Sequence, residues 1–428
     1  MINIFKKVSP KRSLVISIAI SICYFMVYYF HNTEFIRSYF EDKAFDTLLN
    51  PPIVSFLGYS SLQQSIDNAP NTIVLELDNK FLLQKNLIDE NNESSYGYLF
   101  PRGELADLIN KLDTKSHELN LKAVFLDYDL TYTLMPGGKE FSDDDKKLLQ
   151  ILSKNRNYKI LIPITARQNI YYENLKNNPS IIPVSVSFSE SSDGISRRLI
   201  SNENNIPAAS LSMYAIASNQ KIKIKGDTLF VGAANFKKQD IIGNRIISKT
   251  ILKNSGYYQS KWFNMDIVSA SMLDNLDYGN AEIKYGTYLF TGAAYNYSND
   301  ILNTNVDNIF GIEAHANAFM TQCYLNGPLK PLPVTYAILL VFCLSFIFNY
   351  IFDFPNSFSP TAKKELIFSF TAVLIIMTGV MYGISYWLLY AQKLWFNWSV
   401  PLALFALFEG IDMIIKLITQ YRYNKKQR

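Results

Sequence analysis

Four apolar stretches bracket one long polar stretch, and this layout limits the fold more than any other feature of the chain. They cover residues 14–30, 334–352, 366–390 and 398–418. Each is close to or above the roughly 17–25 apolar residues that an α-helix needs to cross a bilayer. Residues 35–330, between the first and second, have ordinary globular composition and are numerous enough to bury a core of their own. The expected plan is a domain held by four transmembrane helices, with a short N-terminal segment (1–13) and a short tail (419–428).

Flanking charge orients this plan. Lys6, Lys7, Lys11 and Arg12 precede the first stretch, Lys363 and Lys364 precede the third, and Arg422, Lys425, Lys426 and Arg428 follow the fourth. Basic residues beside membrane helices stay cytoplasmic, so both termini are expected inside and residues 35–330 outside. The core of the first stretch is longer than that of a signal peptide. His31-Asn32-Thr33-Glu34-Phe35 offers no small-x-small cleavage site, so the stretch reads as an uncleaved anchor. The net charge of +4 sits largely in these flanks and gives no reason to expect a nucleic-acid partner. Cys23 and Cys343 lie in apolar stretches and Cys323 is alone in the outer segment, so no disulfide framework is expected there. A bacterial periplasm fits this usage better than an animal cell surface.

Within the outer segment, strand and helix patterns alternate. Asn71–Leu77, Leu121–Leu126 and Tyr158–Pro163 are short apolar runs with strand character. Between them, Gly103–Leu112 repeats Leu and Ile at helical spacing, and Asp143–Asp145 open a helix with acids suited to its dipole. Alternation of this kind implies right-handed crossovers and a largely parallel sheet with flanking helices. Further along, Ala208–Ala217 and Met265–Leu273 read as helices, 222–226 and 228–232 as a hairpin, and Tyr285–Thr291 as a strand. Gly311–Tyr324 is a helix that runs through Pro328, Pro331 and Pro333 into the second apolar stretch, a short stiff connector.

Pieces of this segment resemble, in order, the CHASE2 domain, an extracytoplasmic sensory module of bacterial signalling proteins. They are FEDKAFD (Phe40–Asp46), the strand Asn71–Asp78, FPRGELADLINKL (Phe100–Leu112) and Leu121–Tyr132, followed by SDGISRRL (Ser192–Leu199), TYLFTGAAYNYSND (Thr287–Asp300) and GIEAHANAFMTQCYLNG (Gly311–Gly327). One span before the domain and three after it are also usual in that family. The resemblance implies a multi-pass protein of the bacterial inner membrane whose periplasmic domain senses a small ligand or a periplasmic protein. Family members commonly continue into a kinase or cyclase region, whereas this chain ends about ten residues past Ile418. The signal is therefore expected to pass through the membrane helices to a separate membrane or cytoplasmic signalling protein. A homodimer is an expected assembly, since such domains often dimerise. The alternative is a docking component of a cell-envelope complex.

Candidate sites follow from position and charge. Asp78, Asp127 and Asp129 end predicted strands, where open parallel sheets bind ligands, and Arg102 opens the crossover between two of them. The four could line a ligand pocket, or Arg102 could pair with Asp127 or Asp129 and fix the loop. Asp193, Arg197 and Arg198 are expected to hold a turn through charge-assisted hydrogen bonds, with an anion site as the alternative. Glu313 and His315, two apart on a helix, point to different faces and cannot chelate one ion together. No metal or cofactor is expected. His315 is instead expected to bond a buried carbonyl or Asp300, and remains a pH-responsive candidate. The Gly-x-x-x-x-Gly-Lys, Gly-x-Ser-x-Gly and His-Glu-x-x-His patterns are missing, so an enzyme is not expected. Glu409 and Asp412, three apart in the fourth stretch, with Lys416 one turn on, are costly in lipid. They read either as a polar contact that orients helices or binds a partner's helix, or as an Asp412–Lys416 pair near the membrane surface.

Overall fold

The computed structural model describes residues 10–29, 42–49, 70–89, 100–134, 140–164, 170–190, 193, 195–238, 252–254, 257–260, 265–275, 286–295, 300–303, 308–351 and 360–427. Lys6, Lys7, His31, Phe40, Ser192, Gly194 and Arg428 lie outside them, as do the side chains of Lys363, Lys364, Lys416, Lys425 and Lys426. The chain divides into two compact units, residues 53–328 and residues 1–52 with 329–428. The helices used below are α1 (Pro10–Tyr29), α2 (Lys43–Leu49), α3 (Asn79–Gln84), α4 (Arg102–Lys115), α5 (Asp143–Leu152), α6 (Ile170–Leu175), α7 (Ala209–Ala217), α8 (Gly311–Leu325), α9 (Val334–Ile351), α10 (Pro360–Gln392) and α11 (Ser399–Gln427).

The unit of residues 53–328 is a mixed α/β fold with a largely parallel central sheet. Its strands are β1 (Asn71–Leu77), β2 (Leu121–Asp127), β3 (Lys159–Pro163), β4 (Ile181–Val184), β7 (Met265–Ser269) and β8 (Thr287–Ala293). The hairpins β5 (Phe188–Glu190) with β6 (Ser196–Leu199), and β9 (Ile301–Asn303) with β10 (Asn308–Phe310), stand apart from it. The order across the sheet is β7-β1-β8-β2-β3-β4, all parallel, with Leu252–Asn254 and Tyr257–Ser260 added antiparallel beyond β7. β1, β7 and β8 are buried along nearly their whole length, as strands covered on both faces must be.

One face packs against α3, α4, α5 and α6. Leu75, Val124, Leu126 and Ile162 of the sheet meet Leu105, Ile109 and Leu148 of the helices there. The other face is covered by α7 and α8. Phe319 of α8 lies against Tyr288 and Phe290 of β8, and the hydroxyl of Thr72 on β1 reaches Met320. Ser142 caps α5: its hydroxyl accepts from Asp145 N–H at 3.0 Å, and the Asp145 carboxylate accepts from Ser142 N–H at 2.9 Å.

Three expectations are corrected here. Met265–Leu273 is a strand, β7, followed by a 3₁₀ turn at Ala270–Asn275; periodicity cannot tell a short apolar strand from a buried helical turn. The 222–232 hairpin gains a third strand, Ala234–Lys237. Among the described residues two helical segments, Lys11–Tyr29 and Thr371–Leu389, are long and apolar enough to cross a membrane, where four were expected. Val334–Tyr350 is apolar but shorter, and Glu409, Asp412 and Lys416 interrupt the apolar run of α11.

The second unit gathers α1, α9, α10 and α11 round Ile20, Val341, Met377, Met381 and Phe405. Lys330–Pro331 pairs in parallel with Leu394–Trp395, in the turn between α10 and α11, and Leu332 N–H donates to the Trp395 carbonyl at 2.7 Å. α2 packs on the same turn, with Phe45 edge-on to Trp395 at 5.1 Å.

Candidate functional site

β2 alternates between two environments. Val124 and Leu126 join the core under α4, whereas the Phe125 ring lies against His315 of α8 at 5.0 Å. Two residues on from Phe125, Asp127 therefore comes out on the α8 face. After β2 the chain passes to α5 on one face of the sheet, and after β8 it reaches α8 on the other. Crevices at such divergences, beyond the carboxyl ends of parallel strands, are where open α/β sheets bind ligands.

A cavity of about 160 Å³ occupies this crevice, lined by Asp127, Val186, Phe188, Ser196, Asp300, Leu302, Gly311 and His315. Two glycines allow its walls to converge. Gly292 is paired with Asp127 across β8 and β2, and a Cβ there would come within 3.0 Å of Ile312 on α8 and 3.1 Å of Asp127. Gly311 opens α8 beneath the Asp300 carboxylate, and its N–H donates to the Asp300 carbonyl at 2.9 Å. Glu313 accepts from Phe310 N–H at 2.9 Å and closes the first turn of α8. On the far side of Gly292, Glu76 of β1 is buried in the same row of the sheet.

The electrostatics are those of acids held in a poor solvent. Burial first, and then the neighbouring Asp300, push the Asp127 carboxyl well above the usual carboxylate range. Burial raises Asp300 to about 6. His315 is 3% exposed, and burial lowers it to about 3, so its imidazole is neutral at physiological pH. Its ring sits between Phe125 and Phe188, 4.6 Å from the latter, and its Nδ1 has no hydrogen-bond partner among the described residues. The expected bond from His315 to a carbonyl or to Asp300 is not formed there, because rings flank the imidazole.

The four residues expected to form one pocket separate. Asp78 caps α3, accepting from Phe81 N–H at 2.9 Å and from the Ser269 hydroxyl at 2.7 Å. Arg102 is buried on the opposite face of the sheet from Asp127 and donates to the main-chain carbonyls of Asp129 at 2.6 Å and Tyr132 at 3.3 Å. It therefore braces the loop after β2 through main-chain oxygens and not through the expected pair with an Asp127 or Asp129 carboxylate. Arg102 also lies over the Tyr171 ring, whose hydroxyl donates to buried Asp145. Burial works against the Asp145 charge, yet hydrogen bonds from Tyr171, Ser142 and Leu134 hold its carboxyl below the usual range. Asp129 is exposed and accepts from Thr131 N–H in a local turn.

Asp193 and Arg197 form a two-pronged ion pair at 2.7 and 2.9 Å, with the arginine buried. Arg198, the next residue of β6, is also buried. In the helical unit, Glu409 is buried, and Asp412 pairs with Arg12 of α1; the side chain of Lys416, its expected partner along the helix, lies outside the described residues. Among the described residues no group of three or more His, Cys, Asp or Glu is arranged to hold a metal ion. The sequence brought Asp300 and His315 forward, but not their meeting with Asp127, nor the part of Phe188 and Ser196. The one available signal was the placement of Gly292 and Gly311 next to the elements that carry the acids.

No curated protein and no solved structure is significantly similar to the chain. The model of the CHASE2 domain family matches residues 19–349, well over half of the chain. On that match, the chain belongs to the CHASE2 family of extracytoplasmic sensory domains.

Proposed function

We propose that the chain is a membrane-anchored sensor that reads a condition outside the cytoplasm at the Asp127–Asp300–His315 cavity and relays it inward along α8. The observation that carries this reading is the seating of Asp300 on Gly311, the first residue of α8. At its other end α8 leads through Pro328, Pro331 and Pro333 into α9, and Lys330–Pro331 is paired with the α10–α11 turn. A shift of α8 along its axis therefore has a covalent route to α9 and a hydrogen-bonded one to the turn between α10 and α11. A ligand moves such an equilibrium only by binding its two states unequally.

The anchor in this reading is the unit of α1, α9, α10 and α11, with both termini cytoplasmic, in a bacterial inner membrane. Each turns apolar side chains outward: Val15 and Ile22 on α1, Leu339 and Ile347 on α9, Ile375 and Trp387 on α10, Leu407 and Ile411 on α11. A bundle with apolar residues on both its inside and its outside suits lipid. Two acids of α11 turn inward, Asp412 to Arg12 and Glu409 into the bundle. The output is a separate signalling protein of the membrane or cytoplasm, and this chain has no catalytic role.

Hydrogen exchange on the full chain in lipid nanodiscs tests the relay. Asp300→Asn, which fixes the carboxyl in a neutral form, is expected to change protection at residues 394–399 by about fivefold or more, the lower end of ordinary coupling between sites. A change confined to residues 53–328 contradicts the relay and supports a docking role for the domain.

A further inference from the structure

Resting on the sensor reading of the same cavity, we propose that its ligand is a small organic monocation, a short aliphatic primary ammonium. The nitrogen is held between the carboxylates of Asp127 and Asp300, and the carbon chain lies along Phe188, Val186 and Leu302. Several observations converge on this class.

The cavity holds two acids brought close enough to oppose each other's ionisation, with burial opposing both. A positive charge between them relieves their repulsion and restores what burial removed. The one histidine on its wall is neutral, so the site carries a charge between zero and minus two and does not attract anions. The imidazole Nδ1 is buried and unpartnered among the described residues; in the neutral ring it supplies an acceptor or, in the other tautomer, a donor for a polar group of the guest. Such a buried polar atom is costly to leave unsatisfied, which points to an occupant.

Size and lining narrow the class further. Asp127, Asp300 and His315 line one space but are not arranged to share one metal ion. A space of about 160 Å³ holds several water volumes of roughly 30 Å³ each, room for a handful of heavy atoms. Val186, Leu302 and Phe188, three of its eight lining residues, give the wall an apolar part, which fits carbon attached to the charge and not a hydrated inorganic cation. Phe188 also lines the cavity, and an aromatic ring attracts a cation within about 6 Å of its centre.

The probe is n-propylammonium chloride, titrated calorimetrically into the full chain in nanodiscs near neutral pH. n-Propanol, sodium chloride and magnesium chloride serve as separate comparison titrants. Saturable binding of propylammonium with one site per chain is expected, and none with n-propanol or either salt. Asp127→Asn and Asp300→Asn are each expected to weaken binding on the order of tenfold or more, as the loss of a charge-assisted contact does. Phe188→Leu is expected to weaken it several-fold, and Asp129→Asn, outside the cavity, to leave it unchanged. Should one aspartate variant fail to fold, the other and Phe188→Leu carry the test. Equal binding of n-propanol, tighter binding of magnesium, or no binding of propylammonium overturns the proposal. Exchange at residues 394–399, followed on the same samples, separates the two readings. Binding that leaves these residues unchanged upholds the ligand class and removes the relay. No binding, with the Asp300→Asn effect on exchange intact, removes the ligand class alone.

Discussion

Asp127 and Asp129 stand two residues apart in the chain, and the fold gives them unrelated roles. Asp127 is the last residue of β2 and still obeys its alternation, which turns it to the α8 face. Asp129 lies past the strand and serves its own turn. Alternation was readable in Leu121–Leu126, but which face would carry a cavity was not. That depended on α8, some two hundred residues away, and on the hairpins that close the walls. The raised carboxyl of Asp300 has a consequence for stability. Between the unfolded value of 3.8 and about 6 the folded state holds a proton on Asp300 that the unfolded chain has lost, so this contribution is full below 3.8 and fades as pH rises through 6. Its ceiling is about 3 kcal/mol. His315 works in the opposite direction. Held neutral down to about 3, it favours folding above its unfolded value of 6.5 and less as pH falls from there. The two oppose each other in the wild type. In Asp300→Asn the opposing contribution of Asp300 is gone, and thermal unfolding is expected to show stability rising more steeply from pH about 4 to 6.5 than in the wild type. Parallel curves for the two proteins would contradict the assigned burial of Asp300.

At the scale of elements, α8 is the piece on which the site depends, and its approach to the sheet is set by Gly292. Ile312 and the Cβ of Asp127 leave no room for a side chain there. Gly292→Ala is expected to cost about 1–3 kcal/mol, as overpacking of a close interface does, and to enlarge the cavity by lifting the first turn of α8. Chemical unfolding measures the first effect, and a crystal structure of the variant the second. A neutral substitution would show that α8 does not sit as close as Asp127 and Ile312 indicate. Strand–helix alternation, the α4 and α8 helices and the parallel sheet were all legible from periodicity and from the acids and glycines at element ends. β7 was not, because five buried residues carry no period that separates strand from helix. The insertion of β8 between β1 and β2 was also hidden. Parallel neighbours far apart in sequence leave no local mark. In the anchor, the pair between Asp412 and Arg12 joins α11 to α1. Spacing along one helix points to Lys416 as a neighbour of Asp412 but does not show which other helix will lie alongside.

For the whole molecule, the account joins a sensory domain to a helical unit whose outward face is apolar. Two of its helices reach spanning length and composition among the described residues, and α9 and α11 share their outward apolar faces. The proposed orientation rests on the flanking lysines and arginines, a rule that sequence alone carries because it depends on charge beside the helices and not on packing. What the domain responds to was beyond the sequence, since the acids of its cavity come from β2 and from the segment before β9. The claim on which the account most depends is that residues 53–328 face away from the cytoplasm while the end of α11 faces it. Single cysteines placed at exposed Lys225 and at exposed Arg422, in a chain otherwise freed of Cys23, Cys323 and Cys343, test it with a membrane-impermeant maleimide. The account predicts labelling of Lys225→Cys in intact spheroplasts and of Arg422→Cys only after lysis. Labelling of Arg422→Cys in intact spheroplasts, with Lys225→Cys protected until lysis, would contradict it.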